Sequence, residues 1–200
     1  MKAIASATLL ALVISSISAQ ERIPQEQATK YAALFVEAAA KLTDLQVKAD
    51  VDSEKPFGVK GGDLGAMVIP DKKLSDDVIR KAGKDVIPVG QLWFRKLSTI
   101  IDGKATGNDK LRIVTITVNT EDHPLPLFLL GVRKKGDDTL ELAVYAKDKE
   151  PHLLLPLQKI DTKQELPIEL EAMKGDNETG VITLNILGKY RAKLTVGKQE

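Results

Sequence analysis

The 200-residue sequence contains no cysteine. That excludes disulfides, thiolate nucleophiles, thiolate-bound zinc and iron–sulfur clusters. Aromatic residues make up only 4% of the chain, and there are two histidines. Neither sign of charge dominates: 29 basic residues stand against 28 acidic ones, a formal net charge of +1. Such a balance argues against holding nucleic acid or an anionic membrane by bulk electrostatics. What the chain has is 43% hydrophobic residues, enough at this length to bury a sizeable core.

The first nineteen residues read as a signal peptide. Met1-Lys2 is a short basic start, Ala3 to Ile14 carry no charge, and small residues Ser15, Ser16, Ser18 and Ala19 precede Gln20-Glu21. The apolar run is too short to span a bilayer comfortably. Cleavage after Ala19 removes one cation, Lys2, and leaves a formally neutral chain. No later segment reads as a membrane span, and Leu194 to Glu200 form no apolar anchor tail. The expectation is a soluble protein, secreted or periplasmic, that relies on its core alone.

Hydrophobic spacing divides the remainder. Pro24 suits a first helical position, and Ala28, Tyr31, Ala32, Phe35, Ala38, Ala39, Leu42 and Leu45 recur on one helical face. This predicts a helix over 24–43. Leu45, Val47, Ala49 and Val51 alternate with polar residues, predicting a strand. A short strand at Ala66-Met67-Val68-Ile69 and a short helix capped by Ser75 follow. Residues 86–101 read as extended and contain Trp93-Phe94, the densest aromatic spot in the chain. Residues 20–101 therefore form an N-terminal helix with a short mixed α/β segment, and 102–110 a polar loop or linker.

Seven strand-like runs follow within 111–200, at 111–118, 125–133, 139–147, 152–160, 166–173, 181–187 and 189–196. Seven short strands with turn signals between them predict an antiparallel β-sandwich of Ig-like architecture. The fold class expected is α+β, mainly β, with this sandwich packed against the preceding segment. The apolar runs 125–132 and 152–157 predict strands covered on both faces, one by the opposite sheet and the other by the N-terminal helix. Strand order is left open.

Catalytic groups are scarce. After residue 19 only Ser53, Ser75 and Ser98 remain, none in Gly-x-Ser-x-Gly. Asp50, Asp52 and Glu54 offer oxygen ligands at alternate positions, without the central glycine and terminal glutamate of a calcium loop. His123 and His152 lack the i,i+4 partner of a zinc helix. These five residues are the candidate metal ligands, though no metal or cofactor is expected. Candidate binding residues are Trp93 and Phe94, as anchors for a sugar or protein, and Lys189, Arg191 and Lys193, whose alternation makes a basic ridge on one strand face. Asn177-Glu178-Thr179 is an N-glycosylation sequon.

The function that follows is an exported, non-catalytic β-rich binding or interaction module. Its expected partner is a protein or an envelope component, and nucleic acid is not expected. The alternatives are an exported carboxylate- or metal-dependent hydrolase, and a structural or assembly subunit that uses a sheet edge. Oligomeric state is left open.

Overall fold

A computed structural model describes residues 20–136, 139–176 and 178–199. The segment expected to be a signal peptide, residues 1–19, and the sequon asparagine Asn177 lie outside them. In chain order the elements begin β1 (Glu21–Arg22), α1 (Gln25–Ala39), β2 (Phe57–Gly61), β3 (Leu64–Pro70), α2 (Asp76–Arg80), β4 (Ile87–Arg95), β5 (Leu97–Ile101) and β6 (Lys104–Ala105). They continue β7 (Ile113–Val118), β8 (Glu121–Lys134), β9 (Leu140–Tyr145), β10 (Leu153–Pro156), β11 (Gln158–Lys159), β12 (Ile168–Lys174), β13 (Thr179–Ile186) and β14 (Tyr190–Lys198). Among the described residues no helix is long and apolar enough to cross a membrane.

The strands form two antiparallel sheets. The first runs β1-β2-β3-β4-β8-β9-β10, with β7 paired to β8. The second runs β12-β13-β14-β5-β6, with β11 on β14. The expected runs all contain strands, but they divide between the two sheets rather than forming a sandwich of their own. β4 pairs with β8 and β5 with β14, so each sheet takes strands from both sides of 102–110. Within that stretch Asp102 and Gly103 both have positive φ and close a two-residue hairpin from Ile101 to Lys104.

β8 organises the layers. Phe128, Leu130 and Val132 face the second sheet, in a core shared with Ile168, Leu184, Ala192 and Leu194. Leu125, Leu127 and Leu129 face the other way, toward α1, with Ala28, Ala32 and Ala39. Covering on both faces accounts for its unbroken apolar run, as expected. The alanine side chains let α1 sit close to the sheet.

Two patterns resolve differently. Residues 45–51 form no strand beyond an isolated bridge from Val51 to Asp71. Val47 is buried on the α1 side of the first sheet, and the Gln46 amide donates to the carbonyls of Lys147 and Asp148. An extended segment lying across a sheet needs one dry side as much as a paired strand does. The run 152–157 is not covered on both faces either. β10 is an edge strand, and Leu154 is 41% exposed. The helix is shorter than expected at 25–39, and Ser75 caps α2 by accepting the Val78 N–H at 3.3 Å.

Candidate ligand cleft

The centre of the first sheet opens at one end. β4 and β8 pair from Ile87↔Val132 to Trp93↔Leu127 and no further. Beyond that point β8 pairs only with β7, from Ile113↔Pro126 to Val118↔Glu121. The sequence supplies a reason. The Leu127 N–H donates to Arg112 O at 2.8 Å, on the β7 side. Backbone direction alternates along a strand, so the nitrogens of Pro124 and Pro126 lie on the opposite, β4-facing side. Proline has no N–H to donate there. β8 therefore lacks two of the donors that would hold it to the end of β4, and the two strands part.

The gap is a cleft of about 860 Å³, within the size range of small-molecule sites. One wall comes from Tyr31 and Phe35 of α1, another from Ile116, His123 and Leu125 of the β7–β8 hairpin. Trp93 and Met67 lie at its floor. The aromatic rings form a stack leading inward: Tyr31 to Phe35 at 6.4 Å, then Phe35 to Trp93 at 4.7 Å. The Trp93 indole N–H donates to Gln91 Oε1 at 3.1 Å, which leaves its polar edge satisfied inside the core.

Trp93 and Phe94 do face opposite sides of β4, as alternation requires. Neither is openly accessible: each is only 1% exposed. Phe94 belongs to the core between the sheets, against Phe128. Trp93 is part of the cleft as its floor rather than as a protruding anchor.

The basic ridge is broken up by bonds within the chain. Lys189 precedes β14 and its ammonium sits 2.6 Å from Asp76 Oδ2. The Arg191 guanidinium donates through Nε to Asn185 Oδ1, whose amide donates to Glu171. Lys193 is exposed and makes no ion pair among the described residues. Asp76 also accepts from the Tyr190 hydroxyl at 2.9 Å and pairs with Arg80 at 2.7 Å. The Lys189 hydrogen bond leads in holding the Asp76 carboxyl below its usual range. Burial, followed by the bond to Asp76, pushes the Tyr190 phenol up to about 12. This cluster ties α2 to the β13–β14 turn.

The candidate metal ligands are dispersed. Asp50 pairs with Lys72 at 2.9 Å, and Asp52 with Lys55 at 3.2 Å while accepting the Glu54 N–H. His123 lines the cleft. His152 lies elsewhere, with Nε2 at 2.9 Å from Thr99 Oγ1 and 3.3 Å from Thr106 Oγ1. Among the described residues no three histidine or acidic side chains lie close enough together to hold a metal ion.

The threonine–histidine contact resembles a nucleophile beside its base. However, Thr99 is 0% exposed, and its hydroxyl also lies 2.9 Å from that of Thr106. The group works as an internal staple, joining β5 and the residue after β6 in the second sheet to the residue before β10 in the first. Burial depresses the His152 imidazole below its ordinary 6.5, and nearby Lys110 acts in the same direction against Asp148. The unfolded chain therefore binds this proton first as pH falls. The contribution of neutral His152 is complete above pH 6.5 and is lost as pH drops toward the folded-state value. One proton limits the slope to about 1.4 kcal/mol per pH unit. Urea midpoints measured against pH should fall below pH 6.5 in the wild type and flatten in His152→Gln; parallel curves would contradict this assignment.

No protein-family model, curated protein or solved structure matches the chain. The reading of the site rests on its own geometry. Tyr31 and Phe35 were visible in the sequence only as members of a helical apolar face. Their part in the cleft depends on where α1 lies over the sheet, which no local pattern encodes.

Proposed function

We propose that this protein is an exported, non-catalytic binding module, and that the cleft beneath α1 holds its ligand, a small molecule with an apolar body. The observation that carries the reading is the Tyr31–Phe35–Trp93 stack at the floor and wall of an open cleft of about 860 Å³. Aromatic and aliphatic walls with a few polar groups are the usual makeup of a small-molecule site. Export is supported by the basic, apolar, small-residue order of residues 1–19, with the periplasm or extracellular medium as destination. The Ig-like description is retained for the scaffold as architecture only, supported by two antiparallel sheets packed on a shared core. Strand addition at β10 draws less support, because that edge strand has four residues and ends in Pro156.

Trp93 is the only tryptophan, so its fluorescence reports on the cleft directly. Titration with dodecyl maltoside below its micelle concentration should give a saturable change in Trp93 emission. Phe35→Ala should weaken that binding about tenfold, the equivalent of roughly 1.4 kcal/mol. An emission unchanged across the titration would reject the cleft as a ligand site.

A further inference from the structure

We infer that the cleft selects an anionic amphiphile, a single apolar chain ending in a carboxylate, with Arg95 and Lys198 receiving the head group. The inference rests on the cleft being a ligand site, as proposed above, and adds the chemistry of what it takes.

The charge at the open end carries the argument. Arg95 follows Trp93 by two residues on β4, so both side chains leave the same face of the sheet, roughly 7 Å apart along the strand. Lys198 on β14 pairs in register with Leu97, just across the turn from Arg95, and the Gln199 N–H donates to the Lys96 carbonyl. All four of Arg95, Lys96, Lys198 and Gln199 line the cleft.

The other charges there are already matched. Lys96 bonds Asp63 at 2.8 Å, and Lys60 pairs with Glu21 at 3.3 Å. Among the described residues Asp63 is the one acidic side chain lining the cleft, and Lys96 holds it. Arg95 and Lys198 make no ion pair among the described residues; the charge of Lys198 reaches Asp63, but three cations, Arg95, Lys96 and Lys198, stand at the mouth against that single carboxylate among the described residues. An apolar trough that ends in an excess of positive charge is complementary to a molecule with an apolar tail and a negative head. A carboxylate offers an arginine two parallel acceptors, the strong form of such a bond.

The same backbone feature that opens the cleft favours a small amphiphile over an extended peptide. A peptide strand entering between β4 and β8 would need donors from β8, and at positions 124 and 126 it would meet proline.

The test compares three amphiphiles of equal chain length by Trp93 fluorescence on the whole protein: laurate, dodecyl maltoside and dodecyltrimethylammonium. Laurate should bind at least tenfold more tightly than the maltoside, with the ammonium weakest, and the laurate advantage should shrink as salt rises. The double variant Arg95→Gln, Lys198→Gln should bring laurate down to the affinity of the maltoside, with circular dichroism confirming that it is folded. Equal wild-type affinities for laurate and maltoside would overturn the head-group assignment while leaving the cleft as an apolar site. A laurate preference that survives in the folded double variant would overturn it as well. No Trp93 response to any of the three would overturn the cleft itself.

Discussion

Replacing Gly90 with alanine should cost about 3–5 kcal/mol, a large share of the stability of a domain this size. Gly90 sits at the one irregularity in the central β4–β8 pairing, where the register shifts between Pro88 and Gly90. The shift accommodates Pro88, which has no N–H for a central ladder. Gly90 has φ of 154°, and a side-chain carbon placed there would lie 2.3 Å from Ile69 O and 3.0 Å from Pro70 Cα. Both are backbone atoms of the neighbouring strand and have no rotamer by which to withdraw. Accommodating the methyl group means prising β3 from β4. Gly61→Ala is the matched control, since nothing lies within 4 Å of its added carbon and its φ is not positive; it should change stability by less than about 1 kcal/mol. Urea denaturation of the two variants measures the contrast, and similar midpoints would contradict the account.

Phe128→Ala should be of similar size, about 3–5 kcal/mol, by a different route. Phe128 is fully buried between the sheets and meets Phe94 edge-on at 5.2 Å, with the His152 ring 6.1 Å away on another side. Its loss leaves a void bounded by strands that are hydrogen-bonded on both sides and close over it poorly. A drop of roughly 10 °C in thermal midpoint is expected for a domain of this size. Phe128→Leu fills part of the space and should cost less than half as much. A loss below about 1 kcal/mol for the alanine variant would show that the sheets repack freely, contrary to the interlocked core described here.

Much of the fold was readable in the sequence because it depends on neighbours along the chain. The α1 stripe from Ala28 to Ala39, the Ser75 cap and the two-faced apolar run of β8 are local patterns with a local meaning. Residues 45–51 and 152–157 misled for the same reason. Alternation reports that a segment has one dry side, and a continuous apolar run reports low polarity. Neither says whether the covering layer is a sheet, a helix or partly solvent, as it is over Leu154.

The cleft was less legible because it arises from two strands ceasing to pair. Trp93 drew attention by its rarity, yet its role needed Phe35 from some sixty residues earlier, brought over it by packing. Pro124 and Pro126 carried the nearest local signal: two prolines with a two-residue period strip the donors from one edge of a strand. The basic residues show the limit of counting charge by face. Lys189 and Arg191 looked like a ridge until Asp76, Asn185 and Glu171 were placed beside them. Arg95 and Lys198 drew no attention, and they are the cations that reach the cleft without an ion pair among the described residues.

The union of β5 with β14 has a consequence for how the chain becomes a protein. Leu97 pairs with Lys198 about a hundred residues later, so the second sheet closes only once β14 meets β5 across that long separation. Pairings this distant are slow, because the long loop must be ordered before the contacts reward it.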